Sequence, residues 1–254
     1  MEYPDFRLTE KNVVITGASK GIGRGLALAL AQAGAKLALI ARDGEKLAEV
    51  VGEVEAAGGT ARAYTADLRE VGKISGLFEQ IAADFGGIDV LVNNAGLGSP
   101  IPSVDIDEKY WDHMVSLNLK AAFFCSQAAA KVMLPAGGGN IVNMSSQASI
   151  TAIAEESVYC ASKGGLNMLT KALALEWGPK GINVNAVAPT FVRTPGTAER
   201  LDTKEFRENV LKMIPLGRVG SLTDVAAAVI YLASPAGSMV NGEILVVDGG
   251  WTIH

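Results

Sequence analysis

Tyr159 and Lys163 stand four positions apart in the run Tyr159-Cys160-Ala161-Ser162-Lys163. On a helix, positions i and i+4 share a face, so the phenol and the ammonium become neighbours. A free tyrosine titrates near ~10 and is a poor acid or base at neutral pH. A cation beside it favours the phenolate, so the pair is expected to lower the Tyr159 pKa. A tyrosine brought toward neutrality passes a proton to or from an alcohol or ketone oxygen. The same spacing also fits an ordinary solvated helix face. The surrounding chain has to decide between the two.

A second constellation lies near the N-terminus. Val13-Val14-Ile15-Thr16 runs into Gly17-Ala18-Ser19-Lys20-Gly21-Ile22-Gly23, followed by Leu26-Ala27-Leu28-Ala29-Leu30. A strand, a glycine-rich turn and a helix start make an anion site, because unpaired N–H groups point outward and the helix dipole favours a pyrophosphate. Glycines let the backbone approach the phosphates closely. Gly17, Ser19, Lys20, Gly21, Ile22 and Gly23 are therefore expected to bind a dinucleotide, although the spacing G-x-x-x-G-x-G differs from the general G-x-G-x-x-G fingerprint. At the end of the next strand, NAD-selective sites place an acidic residue against the ribose 2′-hydroxyl. Here the strand ends in Ala41-Arg42-Asp43, and Arg42 with Lys20 would suit a 2′-phosphate. Asp43 is the competing signal, with helix capping as its other role. NADP is the expected cofactor and NAD the alternative.

These groups need a scaffold. Short apolar runs at 12–16, 36–41, 60–65, 88–93, 140–145, 182–187 and 242–247 predict seven strands. Amphipathic stretches predict helices near 22–33, 44–57, 71–85, 108–134, 157–177 and 222–233, with Asp43 and Ser221 as N-caps. Val13-Val14-Ile15 and Val90-Leu91-Val92 are apolar without alternation, as in a sheet covered on both faces. Strands alternating with helices imply right-handed crossovers and a parallel sheet. The expected fold is α/β: one doubly wound, Rossmann-type domain over 1–254, with a seven-stranded parallel sheet and helices on both faces. The segment 188–216 carries Pro189, Thr194, Pro195, Gly196 and Pro215, and is expected to be a substrate loop or lid with a short helix at 203–213.

Composition removes several functions. A net charge of −5 argues against a nucleic-acid partner, which calls for a basic surface. No run of about 18 apolar residues predicts a membrane span. The N-terminus, Met1-Glu2-Tyr3-Pro4-Asp5-Phe6-Arg7, lacks the pattern of a signal peptide. Cys125 and Cys160 make no disulfide framework, so a cytoplasmic location is expected. His113 and His254 are the only histidines, and no ligand-spaced cluster predicts a metal.

With these residues placed, the chain resembles the short-chain dehydrogenases/reductases over nearly its whole length, from Thr16 to Gly250. The motifs that carry the resemblance occur in the family's order: Thr16-Gly17-x-x-x-Gly21-Ile22-Gly23, Asp67-Leu68 after the third strand, Asn93-Asn94-Ala95-Gly96 after the fourth, Asn118, a serine after the fifth, then Tyr159 and Lys163. Ser145 and Ser146 compete for the serine position. Ser146 precedes Tyr159 by thirteen positions, the family's usual interval, and is preferred. The resemblance implies that Tyr159 is the acid in reduction and the base in oxidation. It implies that Lys163 tunes Tyr159 and holds the nicotinamide ribose, that Ser146 donates to the substrate oxygen, and that Asn118 anchors a water linking Lys163 to solvent. It also implies cofactor contacts from Asp67, Leu68, Asn94, Ala95, Gly96, Pro189, Val192 and Thr194. The chain departs from the family at Pro189-Thr190, where Pro-Gly is usual.

The expected substrate region spans 97–104, 147–157 and 190–216. Gln147, Ser149, Glu155, Glu156 and Arg193 there resemble the lining of members acting on sugars, polyols or sugar acids, although Glu155 and Glu156 also fit a solvated rim. A 3-oxoacyl-acyl carrier protein reductase is the alternative, but Lys131 and Lys180 offer few basic groups for an acidic carrier. A non-catalytic dinucleotide-binding regulator on the same fold is the minor alternative. The resemblance implies a homotetramer packed through 108–134 and 157–177, and the apolar run Ala121-Ala122-Phe123-Phe124-Cys125 suits burial on more than one side.

Overall fold

A computed structural model of the protein describes residues 3–253. Met1, Glu2 and His254, which entered the reading of the N-terminus and of the histidines, lie outside them. Seven parallel strands form one sheet in the order β3-β2-β1-β4-β5-β6-β7. They are β1 (Asn12–Thr16), β2 (Lys36–Ala41), β3 (Thr60–Thr65), β4 (Val90–Asn93), β5 (Gly139–Met144), β6 (Ile182–Pro189) and β7 (Ile244–Val247). The order reverses between β1 and β4, which pair directly with Val13 opposite Val90 and Ile15 opposite Val92. Connections leave this junction in opposite directions, which opens a crevice at the carboxyl ends of the strands.

Strand periodicity of two explains the unbroken apolar runs. Val13 and Ile15 face a core built with α1 (Gly21–Gln32), α2 (Gly44–Ala56) and α9 (Leu222–Ala233). Val14 faces the opposite core, built with α3 (Ile74–Phe85), α5 (Ala122–Met133) and α6 (Ser157–Trp177). Both layers are dry: Leu30, Leu37, Phe78 and Leu91 are fully buried. Each such side chain contributes about 1.5–3 kcal/mol by leaving water. The expected caps are present. Asp43 Oδ1 accepts the Lys46 N–H at 3.1 Å, and Ser221 Oγ accepts the Asp224 N–H at 3.2 Å.

Two segments differ from expectation. The stretch 108–134 is not one regular helix. α4 (Glu108–Val115) passes into a π-helical turn at Ser116–Ala121 before α5 begins, and Asn118 sits inside that turn. The stretch 188–216 is not a loop with one helix. β6 extends to Pro189, and two helices follow, α7 (Pro195–Asp202) and α8 (Lys204–Lys212). Leu201, Val210 and Ile214 close a small separate core with Phe191, Phe206, Val219 and Trp251. Among the described residues, no helix is long and apolar enough to cross a membrane.

Candidate active site

The turn after β1 is shaped by glycine. Gly17 and Gly21 have φ of +66° and +56°, a region that disfavours side chains. Gly23 faces the turn so closely that a Cβ there would lie 2.2 Å from the Gly17 carbonyl oxygen. Thr16 and Asn94 tie this turn to the end of β4. Thr16 Oγ1 accepts the N–H groups of Asn94 and Ala95 at 3.0 and 2.9 Å, and Asn94 Nδ2 donates to the Thr16 and Gly17 carbonyls at 2.9 and 3.1 Å. The first N–H groups of α1 have no partner within the helix and point into the crevice.

The crevice is a cleft of about 680 Å³. Its wall contains all the expected cofactor residues: Gly17, Ser19, Lys20, Gly21, Ile22 and Gly23 from the turn, Arg42 after β2, and Asp67 and Leu68 after β3. Asn94, Ala95 and Gly96 after β4, Tyr159 and Lys163 on α6, and Pro189, Val192 and Thr194 after β6 complete the set. Lys46 lines the Arg42 end and was missed, because an exposed helix lysine carries no signal in the sequence. It pairs with Asp43 at 3.1 Å. The Lys46 N–H and ammonium hold the Asp43 carboxyl below its ordinary range. That carboxylate already has two partners, while Lys20 and Arg42 make no ion pair among the described residues. Asp67 is held at about 2 by side-chain hydrogen bonds from Arg69, which turns its carboxylate along the wall. Thr190 adds a buried hydroxyl with no hydrogen-bond partner. The close glycine cradle, the open helix start and the cations at one end fit a dinucleotide phosphate.

Asn118, Ser146, Tyr159 and Lys163 converge at the other end. A Cβ on Gly96 would sit 3.3 Å from Asn118 Oδ1 and 3.4 Å from Lys163 Nζ, and one on Gly98 would touch the Tyr159 ring at 3.3 Å. Lys163 Nζ donates to the Met144 carbonyl at 2.7 Å and lies 5.8 Å from the Tyr159 ring centroid. The expected lowering of the Tyr159 pKa is not found in this arrangement. Burial pushes the phenol up to about 12, against a downward pull from Ser146. Burial also brings Lys163 down to about 8, since an ammonium out of water is costly. Desolvation governs both groups, and the ammonium is turned to Met144 rather than to the phenol.

The two serines separate cleanly. Ser145 lines the cleft but its Oγ donates away to Asn167 Oδ1 at 2.6 Å, whereas Ser146 is the serine that pulls the Tyr159 pKa down. Ser146 Oγ donates to Gln147 Oε1 at 2.8 Å and accepts the Ala148 N–H at 3.2 Å. Gln147 Nε2 is buried without a partner. Asn118 is buried, and its side chain is committed to Leu97 and Ser162 rather than standing free to hold a water. Asn118 and Ser146 stand just behind the cleft wall.

One substrate expectation needs correction, and one alternative falls away. Arg193 turns out of the cleft and donates to Asp202, the last residue of α7, at 2.7 Å. Glu156 is not a solvated rim residue. Its side chain is 9% exposed, it lines the cleft, and Arg200 of α7 lies 3.8 Å away. Glu155 beside it is exposed, at φ +63°.

A family model described as enoyl-(acyl carrier protein) reductase matches residues 17–252. The chain is 39% identical over 249 residues to D-threitol dehydrogenase from Mycolicibacterium smegmatis, covering 98% of this chain and 95% of that one. It is 40% identical over 247 residues to 2-dehydro-3-deoxy-D-gluconate 5-dehydrogenase from Escherichia coli, covering 97% of each. Among solved structures, a gluconate 5-dehydrogenase from Burkholderia cenocepacia in complex with NADP and tartrate superposes with a TM-score of 0.95 at 35% identity, covering 99% of this chain and 98% of that one. The chain belongs to the short-chain dehydrogenase/reductase family and is an oxidoreductase of the kind that acts on CH–OH groups.

Proposed function

We propose that the protein is an NADP-dependent enzyme that interconverts a secondary alcohol and a ketone on a polyol, sugar or sugar acid. The observation that carries this reading is the convergence of Tyr159, Lys163 and Ser146 at one end of a glycine-walled cleft whose other end holds Lys20 and Arg42. NADP, bound along that wall, supplies or accepts the hydride. Tyr159, protonated in this arrangement, donates its proton to the substrate oxygen in reduction and takes one back in oxidation. Lys163, free to lose its own proton near pH 8, is the group that exchanges protons behind it. Ser146 stabilises charge on the substrate oxygen once its proton turns from Gln147 toward the cleft. The unpartnered Gln147 amide nitrogen permits that turn by rotating to donate to Ser146 Oγ. Asn118 keeps the 94–98 backbone in place, and α7 with α8 covers the substrate as a lid.

The relatives' names support a hydroxylated substrate, and the sparse basic residues at Lys131 and Lys180 weigh against a carrier-linked thioester. Two free cysteines suit a cytoplasmic setting. A homotetramer is the proposed assembly. Met168 and Leu175 of α6 are 66% and 82% exposed, beside an apolar groove formed with Leu119 and Phe123.

A screen of polyols, sugars and aldonates with NADP+ and NAD+, followed by absorbance of the reduced nicotinamide, tests the reading. Turnover of a hydroxylated compound with higher kcat/KM than a 3-oxoacyl thioester is expected. Turnover of the thioester alone would favour the carrier protein reductase instead.

A further inference from the structure

Glu156 is the most unusual charged group on the cleft wall. It ends the loop before α6, three positions ahead of Tyr159, and both residues line the cleft. Its side chain is nine-tenths buried, yet among the described residues nothing donates a hydrogen bond to its carboxylate. Arg200, its ionic partner, is 3.8 Å away, too far for a hydrogen bond. The Arg200 guanidinium is held from behind, 4.5 Å over the Phe206 ring. Its charge offsets that of Glu156 without filling the carboxylate's acceptor positions. Burial raises the Glu156 pKa, and its negative charge in turn raises those of Tyr159 and Tyr110. The carboxylate therefore lies within electrostatic reach of the reacting phenol.

A buried carboxylate with open acceptor positions calls for donors. Among the described residues none of the wall's donors reaches it, Arg200 stopping at 3.8 Å, so its donors are water in the open cleft or the molecule that displaces that water. Substrate hydroxyls next to the reacting carbon would donate to Glu156 and replace the water they displace from the cleft. A substrate carboxylate in the same place would put two like charges in one desolvated site, which is unfavourable.

Resting on the reading of the protein as a dehydrogenase of hydroxylated compounds, we infer that Glu156, held by Arg200, is the specificity-determining residue of this site and selects neutral polyols and hydroxyketones over sugar acids. Glu156 acts through hydrogen bonds to substrate hydroxyls and leaves proton transfer to Tyr159.

The test compares matched pairs, threitol with threonate and sorbitol with gluconate, using NADP+ with wild type, Glu156→Gln and Glu156→Asp. Wild type should prefer the polyol of a pair. In Glu156→Gln, kcat/KM for the polyol should fall by about 10- to 100-fold, mainly through KM, the usual scale for a lost hydrogen bond to a charged group. The preference over the aldonate should fall with it. Glu156→Asp, which keeps the charge, should retain the preference. NADPH affinity and melting temperature report whether each variant is folded. An unchanged polyol-to-aldonate ratio in a folded Glu156→Gln, or an equal loss on all four compounds, would mean that Glu156 only stabilises the start of α6. If wild type turns over some other hydroxylated compound but prefers acids throughout, this inference fails and the broader reading stands. If no hydroxylated compound is turned over, both fail.

Discussion

Asn118 grips both backbone groups of Leu97. Its Oδ1 accepts the Leu97 N–H at 2.9 Å, and its Nδ2 donates to the Leu97 carbonyl at 2.8 Å. The π turn that carries Asn118 sets this amide against the 94–98 segment, whose Gly96 and Gly98 border Lys163 and Tyr159. Cutting the amide removes two hydrogen bonds and leaves a half-buried N–H and C=O without their partner. Asn118→Ala should therefore lower the unfolding free energy by about 1–3 kcal/mol, measurable by urea denaturation. A variant as stable as wild type would show that Leu97 finds other partners.

Tyr159→Phe removes only the hydroxyl from a packed ring. Turnover should drop by at least ~100-fold while NADPH still binds, as measured by cofactor fluorescence alongside steady-state rates. Near-normal activity in this variant would reject Tyr159 as the acid and base.

Arg42 stands at the cation-rich end of the cleft, where Asp43 is already engaged by Lys46. NADPH should bind more tightly than NADH, and Arg42→Ala should narrow the gap by about 1–2 kcal/mol. Titration calorimetry of both cofactors measures this directly. Equal affinities in the unmutated protein would show that Asp43 governs the site.

Lys163 gives a prediction with a defined pH sign. Its folded pKa of about 8 lies below the ordinary lysine value near ~10.4, so across that window the unfolded chain binds more protons than the folded one. Stability contributed by this group rises with pH through the window and is lost as pH falls toward 8. Lys163→Met replaces a buried amine by an apolar chain of similar length. The melting temperature of the variant minus that of wild type should be larger at pH 7 than at pH 9.5. A difference independent of pH would indicate that the ammonium is well solvated in the folded state.

Much of this was legible in the sequence for a physical reason. The strands are short and bounded by turns, so β1, β2 and β3 fall on their expected residues. The cofactor wall was legible because glycine at Gly17, Gly21 and Gly23 answers to backbone geometry, which leaves a mark in residue type. The π turn at Asn118 was not, since inserting one residue into a helix keeps nearly the same apolar pattern. Nor was α7. Pro195 falls in the part of 188–216 expected to be loop, yet it is the first residue of that helix, where its missing N–H costs nothing, and Thr194 caps it. Glu156 kept its expected place in the lining while Arg193 turned out of it, and the sequence could not separate the two, because charge in a sequence says nothing of burial. The Tyr159 and Lys163 spacing correctly placed the two groups together but could not report that Lys163 turns to the Met144 carbonyl.

The small core under α7 and α8 bears on how substrate enters. Phe191 stacks edge-on against Phe206 with centroids 5.5 Å apart and meets Trp251 at 5.8 Å, so the two helices are braced by their own aromatic brackets. Thr197 Oγ1 donates to the Val192 carbonyl at 2.6 Å at one end, and the Leu216 N–H donates to the Gly249 carbonyl at 3.1 Å at the other. If α7 and α8 form the proposed lid, a segment braced in this way would swing as a stiff plate on two joints instead of melting open. Amide exchange would then be fast at the joints and slow across the plate, and the width of the swing, more than side-chain size inside the cleft, would limit how bulky an admitted molecule can be.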